Sequence, residues 1–299
     1  MIDAARGSNR RRTVSVLVGV AAAIAGGWPA AASAATQPRL GTALNFAVLA
    51  GSTITNTGSS VITGDLGLHA GTAVTGFPPG TVTGVKHVAD AVALQAKNDL
   101  TTAYDDAASS PSTSDLTGQD LGGKDLTPGV YTYSSSAQLT GPLTLNGNGV
   151  FVFRIGSTLT TASNSAVLLT NGAQACAVFW QVGSSATLGS ATQFQGNLMA
   201  LTSITMVTGA NILTGRALAR NGALTLDTNR ITPPAGTCTT TSTTTTTPSP
   251  PGSTPPVGLG QTGGGPPPQP GFPWWPVATV GALGALLAGL RISAARRNP

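Results

Sequence analysis

The chain has almost no charged side chains and no glutamate. Only 8% of its 299 residues are charged, its ten acidic residues are all Asp, and it has two His and two Cys. His69 and His87 lie far apart in sequence, and we expect them on the surface or in turns. The chain therefore offers few residues that could form a pair of catalytic carboxylates, a catalytic His or a cluster of metal ligands. We expect no catalytic residue, no metal and no cofactor.

The formal net charge of +5 is carried by the two ends of the chain. Between residues 40 and 238 there are seven Lys or Arg against nine Asp, so this part is close to neutral. A nucleic-acid-binding protein concentrates positive charge on its folded surface. The charge distribution therefore excludes nucleic acid as a partner.

The N-terminal segment, residues 1–34, has the pattern of an export signal. Three arginines at residues 10–12 precede an apolar stretch over residues 14–27, which is followed by small residues typical of a cleavage site, Ala32-Ser33-Ala34. We expect cleavage after Ala34; the alternative is an uncleaved membrane anchor, for which the apolar stretch is short. The arginines also permit twin-arginine export, so the export route stays open.

The C-terminal part of the chain has the composition of a stalk and an anchor. Residues 239–273 are rich in Thr, Pro and Gly, cannot bury a core and predict an extended stalk. Residues 276–292 form an apolar segment predicted to cross a membrane, with a basic cytoplasmic tail at residues 293–299.

A short motif inside the stalk suggests a different attachment. Leu259-Gly260-Gln261-Thr262-Gly263 resembles the Leu-Pro-x-Thr-Gly signal that sortases cut before linking a protein to the cell wall, with Gly260 in place of Pro. The partner at this end is either the membrane or the wall. In both cases we expect an exported protein held at the cell surface.

The two cysteines predict one disulfide. Exported proteins with an even cysteine count favour pairing, which would join Cys176 to Cys238.

The folded domain, predicted over residues 40–238, contains several copies of one sequence pattern. Residues 196–206 align with residues 215–226 at an offset of 19 to 20 residues, and residues 182–188 echo residues 155–160. Each copy is a short apolar strand, a Gly or Asn turn and outward hydroxyls. This predicts a β-solenoid whose repeat length drifts.

One segment changes to a helical period. Apolar residues at Val88, Val92, Ala96, Leu100 and Ala103-Tyr104 predict a helix over about residues 88–107, packed on the side of the solenoid, with Asp90, Lys97 and Asp105 off the apolar stripe. The three Asp that follow, at residues 115, 120 and 125, are interpreted as solvated turns rather than a calcium site.

Several motifs in order resemble the microbial ice-binding protein family. They are Phe46-Ala-Val-Leu-Ala-Gly-Ser-Thr-Ile-Thr55, Gly64-Asp-Leu-Gly67, Leu126-Thr-Pro-Gly-Val-Tyr131, Val178-Phe-Trp-Gln-Val-Gly183 and Gly215-Arg-Ala-Leu-Ala219. The resemblance covers about residues 40–237. It implies a right-handed, discontinuous parallel β-solenoid of triangular section with one long helix alongside. It also implies that one flat face binds an ice crystal, and we expect a monomer.

Two sets of residues compete for that face. The set we favour, the motif residues, follows the family's Thr-Ala/Gly-x-Thr/Asn pattern with two neighbours: Thr53, Thr55, Thr72, Thr75, Thr161, Asn164, Thr208 and Asn211. The second set, the alternation row, comes from period two, which points Leu159, Leu188, Ile204, Met206, Leu224 and Leu226 inward. That row is Thr158, Thr160, Thr187, Thr205 and Thr225.

Two other functions compete with ice binding. Many parallel β-solenoids cleave polysaccharides, but the strands between residues 139 and 231 contain one carboxylate, Asp227, and no pair suited to proton transfer. The stronger alternative is a cell-surface adhesin or cell-wall module that keeps the fold and does not bind ice.

Overall fold

A computed structural model describes residues 35–236 and residue Cys238. The predicted signal, stalk, sorting motif, membrane segment and tail lie outside these residues and stay predictions. Within the described part, no helix combines the length and the apolar character needed to cross a membrane.

The described residues contain one α-helix, two short 3₁₀-helices and 22 short strands. The α-helix is α1 (Ala91–Ser109), and the 3₁₀-helices are η1 (Gly41–Asn45) and η2 (Ala175–Ala177). The strands are β1 (Phe46–Ala50), β2 (Thr53–Thr57), β3 (Val61–Ile62), β4 (Asp65–Leu68), β5 (Ala73–Thr75), β6 (Thr81–Val82), β7 (Lys86–Val88), β8 (Ser114–Asp115), β9 (Asp125–Leu126), β10 (Gly129–Tyr133), β11 (Ala137–Leu139), β12 (Pro142–Asn146), β13 (Phe151–Ile155), β14 (Leu159–Thr161), β15 (Ala166–Thr170), β16 (Val178–Val182), β17 (Ala186–Leu188), β18 (Gln193–Ala200), β19 (Ile204–Met206), β20 (Asn211–Ala219), β21 (Leu224–Asp227) and β22 (Arg230–Ile231).

The strands form a parallel solenoid with three faces. Each coil passes through a helix-side face, a flat face and a third face, as β13, β14 and β15 do in turn. The flat face is a separate seven-stranded sheet in the order β11-β14-β17-β19-β21-β2-β5. The other two faces join into one sheet, because β18 and β20 run around the corner between them. The fold expected from the repeats and from the resemblance is confirmed.

The coils do not stack in chain order. The last coil, with β20, β21 and β22, pairs with the first coil through β1, β2 and β3. The next coil, with β4, β5 and β6, pairs with the far side of the first. The helix α1 then separates these N-terminal coils from the rest of the chain, which is the discontinuity that the resemblance implied.

Glycines make the sharp corner of the longest strands possible. Gly196 and Gly215 are register partners in β18 and β20. Gly196 has φ +102°, and a Cβ on Gly215 would lie 1.9 Å from the backbone oxygen of Gly196. Any side chain at Gly215 would therefore separate two adjacent coils.

The strands of the helix-side face are apolar on both sides. In β13, Phe151, Phe153 and Ile155 face the interior of the solenoid, while Val152 packs under the helix. Phe153 stacks on Trp180 of the next coil at 3.9 Å between ring centroids. A strand buried on two faces needs such a continuous apolar run, which the alternating strands of the flat face do not show.

The helix begins and ends later than predicted. It spans Ala91–Ser109, and the Asp90 side chain caps it by accepting the Ala93 N–H at 2.8 Å. Ala96, Leu100, Ala103 and Tyr104 are buried as predicted, but Val92 is 49% exposed and Val88 belongs to β7. The predicted stripe was wrong at its start, because Val88 is still in a strand and Val92, in the first turn of the helix, faces solvent.

Lys97, predicted to lie off the apolar stripe, is in the helix interface. It is buried, and its Nζ donates to the backbone oxygen of Ala219 at 2.7 Å and to that of Arg220. The ammonium satisfies carbonyls at the end of β20, so a charged residue lies in the helix interface.

The predicted disulfide is present. Cys176 in η2 is bonded to Cys238, with 5.7 Å between their Cα atoms.

Candidate functional site

One continuous row of residues, nearly all threonines, runs along the middle of the flat face. Each of its seven strands contributes one outward residue, and the strand registers place these residues side by side. In stacking order this Thr row is Gln138, Thr160, Thr187, Thr205, Thr225, Thr55 and Thr75.

The alternation of the strands creates the row. Leu159, Leu188, Ile204, Met206 and Leu224 face the core, with exposures of 1% or less. Because side chains alternate along a strand, the residue between two inward ones points out. The predicted orientation is thus confirmed for Thr160, Thr187, Thr205 and Thr225.

A second row, the flank row, lies two residues earlier on each strand. It consists of Ser136, Thr158, Ser185, Ser203, Ala223, Thr53 and Ala73. Thr158 of the alternation row belongs here. The two rows are about 6.6 to 7 Å apart, and neighbouring strands about 4.7 to 4.9 Å.

The hydroxyls of the two rows differ in what they bind. In the flank row, Ser203 accepts the Ala223 N–H at 3.1 Å, Ser185 accepts the Ser203 N–H at 3.3 Å, and Ser136 accepts the Thr158 hydroxyl at 2.8 Å. Among the hydrogen bonds of the described residues, none involves a side chain of the Thr row. Its six hydroxyls are available to solvent.

The flat face loses its regularity beyond the Thr row. Two residues later on the strands lie Thr57 and its register partner Asp227, whose carboxylate accepts the Thr208 hydroxyl. A carboxylate imposes its own hydration, so the regular surface is two rows wide. Neither of those rows contains an ionisable side chain.

The structure divides the motif residues between the flat face and its corners. Thr55 and Thr75 are in the Thr row, Thr53 is in the flank row, and Thr72 is exposed just before β5. Local sequence patterns do not show that Thr55 and Thr75 continue the alternation row, because their neighbours in the row come from the other end of the domain.

The motif at residues 161–164 lies at a corner between the flat and third faces. Thr161 is only 3% exposed, its hydroxyl is 2.7 Å from that of Thr192, and it accepts the Gly189 N–H at 2.9 Å. Asn164 occupies the turn with φ +60°. Thr161 therefore links coils and does not reach the surface.

The motif at residues 208–211 occupies an equivalent corner. Thr208 is exposed in the turn after β19 and donates to Asp227. Asn211 begins β20 on the third face, where its side-chain oxygen accepts the Arg230 N–H at 2.7 Å. Thr208 therefore lies at the rim of the flat face and Asn211 on the third face, both outside the Thr row.

Two buried cations bind backbone carbonyls outside the two rows of the flat face. Burial, with a smaller effect of Arg220, lowers the pKa of Lys97 to about 8. Burial lowers the pKa of Arg216 to about 10, and this guanidinium donates to the Leu44 carbonyl and to Asn197 Oδ1 at the edge opposite the flat face.

Two of the three Asp residues spaced by five hold turns, whereas Asp125 begins strand β9 and accepts a hydrogen bond from the Asn146 side chain at 3.3 Å, so the interpretation as a turn was wrong there. Asp115 accepts the Thr117 N–H at 2.8 Å, and Asp120 accepts the N–H groups of Gly122 and Thr140 at 2.6 and 2.9 Å. Within residues 35–236 and residue 238, no three His, Cys or Asp side chains come together as a metal site.

A cavity of about 410 Å³ lies at the edge opposite the flat face. Its lining includes Arg39 and Leu40 near the start of the described chain, Gly236 near its end, and both disulfide cysteines. The two ends of the domain thus meet at one edge, between the third and helix-side faces.

The chain is similar to proteins named for ice binding. The sequence profile of the Ice-binding-like family matches residues 48–232. An "Ice-binding protein" of Nostoc sp. (strain HG1) is 60% identical over 205 residues, covering 67% of this chain and 76% of that protein. The "Ice-binding protein" of Flavobacterium frigoris (strain PS1) is 36% identical, covering 65% and 76%.

Solved structures agree with this similarity. The crystal structure of an ice binding protein from an Antarctic biological consortium has 48% identity and a TM-score of 0.66, covering 69% of this chain and 96% of that one. An ice-binding protein from the Antarctic ascomycete Antarctomyces psychrotrophicus has 44% identity and a TM-score of 0.64, covering 66% and 98%. With most of the described domain matched by the family profile and by these relatives, the chain belongs to the Ice-binding-like family.

Proposed function

We propose that this protein binds ice through its flat face. The Thr row carries the proposal: it has six threonines in register whose side chains make no hydrogen bond to another described residue, and neither it nor the flank row contains an ionisable side chain. Relatives that share the domain are named ice-binding proteins, which supports the same partner for this chain.

The spacing of the face explains how water could be held on it. Methyl and hydroxyl groups repeat at about 4.7 to 4.9 Å across strands and 6.6 to 7 Å along them, close to oxygen spacings in ice. Ordered water can bridge the hydroxyls to the crystal at little enthalpic cost. Many such contacts acting together make release slow.

Ice binding is tested on residues 35–238, which contain both buried clusters and the disulfide. Thermal hysteresis, inhibition of ice recrystallisation and uptake into a growing ice hemisphere are expected to exceed a buffer control. If all three equal the control, the chain does not bind ice, and the surface adhesin or wall module with the same fold becomes the function.

A substitution series separates the Thr row from the corner motifs. We expect Thr205→Tyr to abolish all three activities and Thr208→Tyr to reduce them less, because Thr208 lies at the rim. The opposite order would assign ice contact to the motif residues.

We also propose that the protein is exported and displayed at the cell surface as a monomer. The signal-like residues 1–34, the stalk over residues 239–273 and the apolar segment at residues 276–292 support this. Surface labelling of intact cells, followed by lysozyme release or detergent extraction, distinguishes wall attachment from a membrane anchor. Labelling only after lysis would refute display.

A further inference from the structure

The disulfide joins the C-terminal end of the domain to a coil in the middle of the stack. Cys176 lies in η2, two residues before β16 begins. β16 pairs with β13 through five residues and with β18 through four. Cys238 follows β22, which pairs with β20 and with β3 through only two residues each.

The same bond lies at the edge away from the flat face. The chain passes from the third face to the helix-side face at η2, since β15 precedes it and β16 follows it. In a triangular section this corner is opposite the remaining side, which is the flat face. Cys238, the last described residue, therefore lies at the edge farthest from the Thr row.

We propose that the Cys176–Cys238 bond is the mechanical attachment point of the domain, which transfers a pull on the C-terminal extension to the central strand β16. Without the bond, the same pull would reach β22 first. A strand drawn out along its own axis loses all its ladder pairs at once, so β16 resists with about twice as many pairs as β22. The attachment point itself lies at the edge opposite the flat face.

This arrangement suits a protein that holds a solid surface on one side and its tether on the other. The proposal rests on the proposed function only for the direction of the load. A force measurement that uses no ice keeps the two separable, because the loss of ice binding would leave the mechanical result unchanged.

The test pulls one molecule between the flat face and the tether. In a chain of residues 35–273, one handle is coupled to p-azidophenylalanine in place of Thr187 and the other to the C-terminus, in optical tweezers. In the oxidised protein the pulled segment runs from Cys176 to residue 187, which extends by at most about 40 Å. In Cys176→Ala/Cys238→Ala it runs from residue 187 to 238 and extends by about 180 Å.

We expect the first unfolding force of the oxidised protein to be about twice that of the double variant. Wild-type protein reduced in the instrument after folding provides the same comparison if the double variant does not fold. An equal first force with and without the bond would overturn the proposal. So would a first extension step in the oxidised protein as long as the one expected for the double variant.

Discussion

Thr205→Tyr tests the flat face at its centre. Thr205 lies on β19, the fourth of the seven strands, so three positions of the Thr row lie on either side. The row spans about 29 Å, from six strand spacings of about 4.8 Å. A tyrosine ring would hold the crystal away from the neighbouring threonines. A displacement of about 1 Å is enough to break hydrogen bonds of about 2.8 Å.

The expected loss is large because the contacts act together. When geometry prevents simultaneous engagement, multivalent binding falls by about 10²-fold or more, so we expect thermal hysteresis at equal protein concentration to fall at least tenfold. The fold should tolerate the change, because Thr and Tyr both favour strands and the site is at the surface. Urea unfolding should show a change within about 1 kcal/mol.

The matched control is Thr144→Tyr on the third face. Thr144 is a half-exposed strand residue whose register partners are Asp125 and Leu168, outside any regular row. We expect its hysteresis to stay within twofold of the wild type. If Thr205→Tyr keeps its activity while folded, or if Thr144→Tyr loses it, the reasoning from the Thr row is wrong.

Three further predictions follow from the packing. Thr161→Val should lower the free energy of unfolding by about 1 to 3 kcal/mol, because it leaves the buried Gly189 N–H without its acceptor and removes one of the two hydrogen bonds of the Thr192 hydroxyl, which keeps only the Ala162 carbonyl. Exposed Thr160→Val should instead lower hysteresis with little change in stability. Urea titration and hysteresis of both variants check this, and equal stability losses would contradict it. Replacing Cys176 and Cys238 by Ala should cost about 4 kcal/mol, from the long loop that the bond closes, measured by the urea midpoint under oxidising conditions; an unchanged midpoint would contradict it. Burial lowers the pKa of Lys97 to about 8, so above that pH the unfolded chain binds a proton that the folded chain lacks. The free energy of unfolding should therefore rise by about 2 kcal/mol between pH 8 and 9.5 relative to Lys97→Met. Parallel pH profiles of stability for the two proteins would refute the lowered pKa of Lys97.

The sequence reveals the coils and the orientation of their side chains through local patterns. Period two points Leu159 inward and Thr160 outward, and the repeat offset in the sequence matches the register of Gly196 with Gly215. The same alternation points Thr161 inward, whereas the family motif predicts it on the ice-binding face, so the two predictions disagree at that residue. A motif match records which residues recur but not whether they lie on a strand or at a corner.

Long-range contacts account for what local patterns missed. Lys97 has the spacing of a surface residue, and only its contact with the end of β20, far along the chain, explains its burial. Thr55 and Thr75 extend the Thr row because the first coils stack under the last one. Neither the period of a strand nor that of a helix reports such a pairing.

The stacking order also determines how this protein can come to be folded. In a solenoid that stacks in chain order, folding can start in one repeat and spread to its neighbours. Here Val48, in the first strand, pairs with Ala217, in the last coil, and the helix extends from β4 to β13 along the stack before the next coil begins. The first coils of the chain have no neighbour on one side until the last coil is available. Acquisition of the native state therefore depends on contacts of high sequence separation, which slow folding. The C-terminal coil thus completes the pairing of the whole domain. A chain that ended before Gly215 would leave one edge of the N-terminal strands without a hydrogen-bonded neighbour.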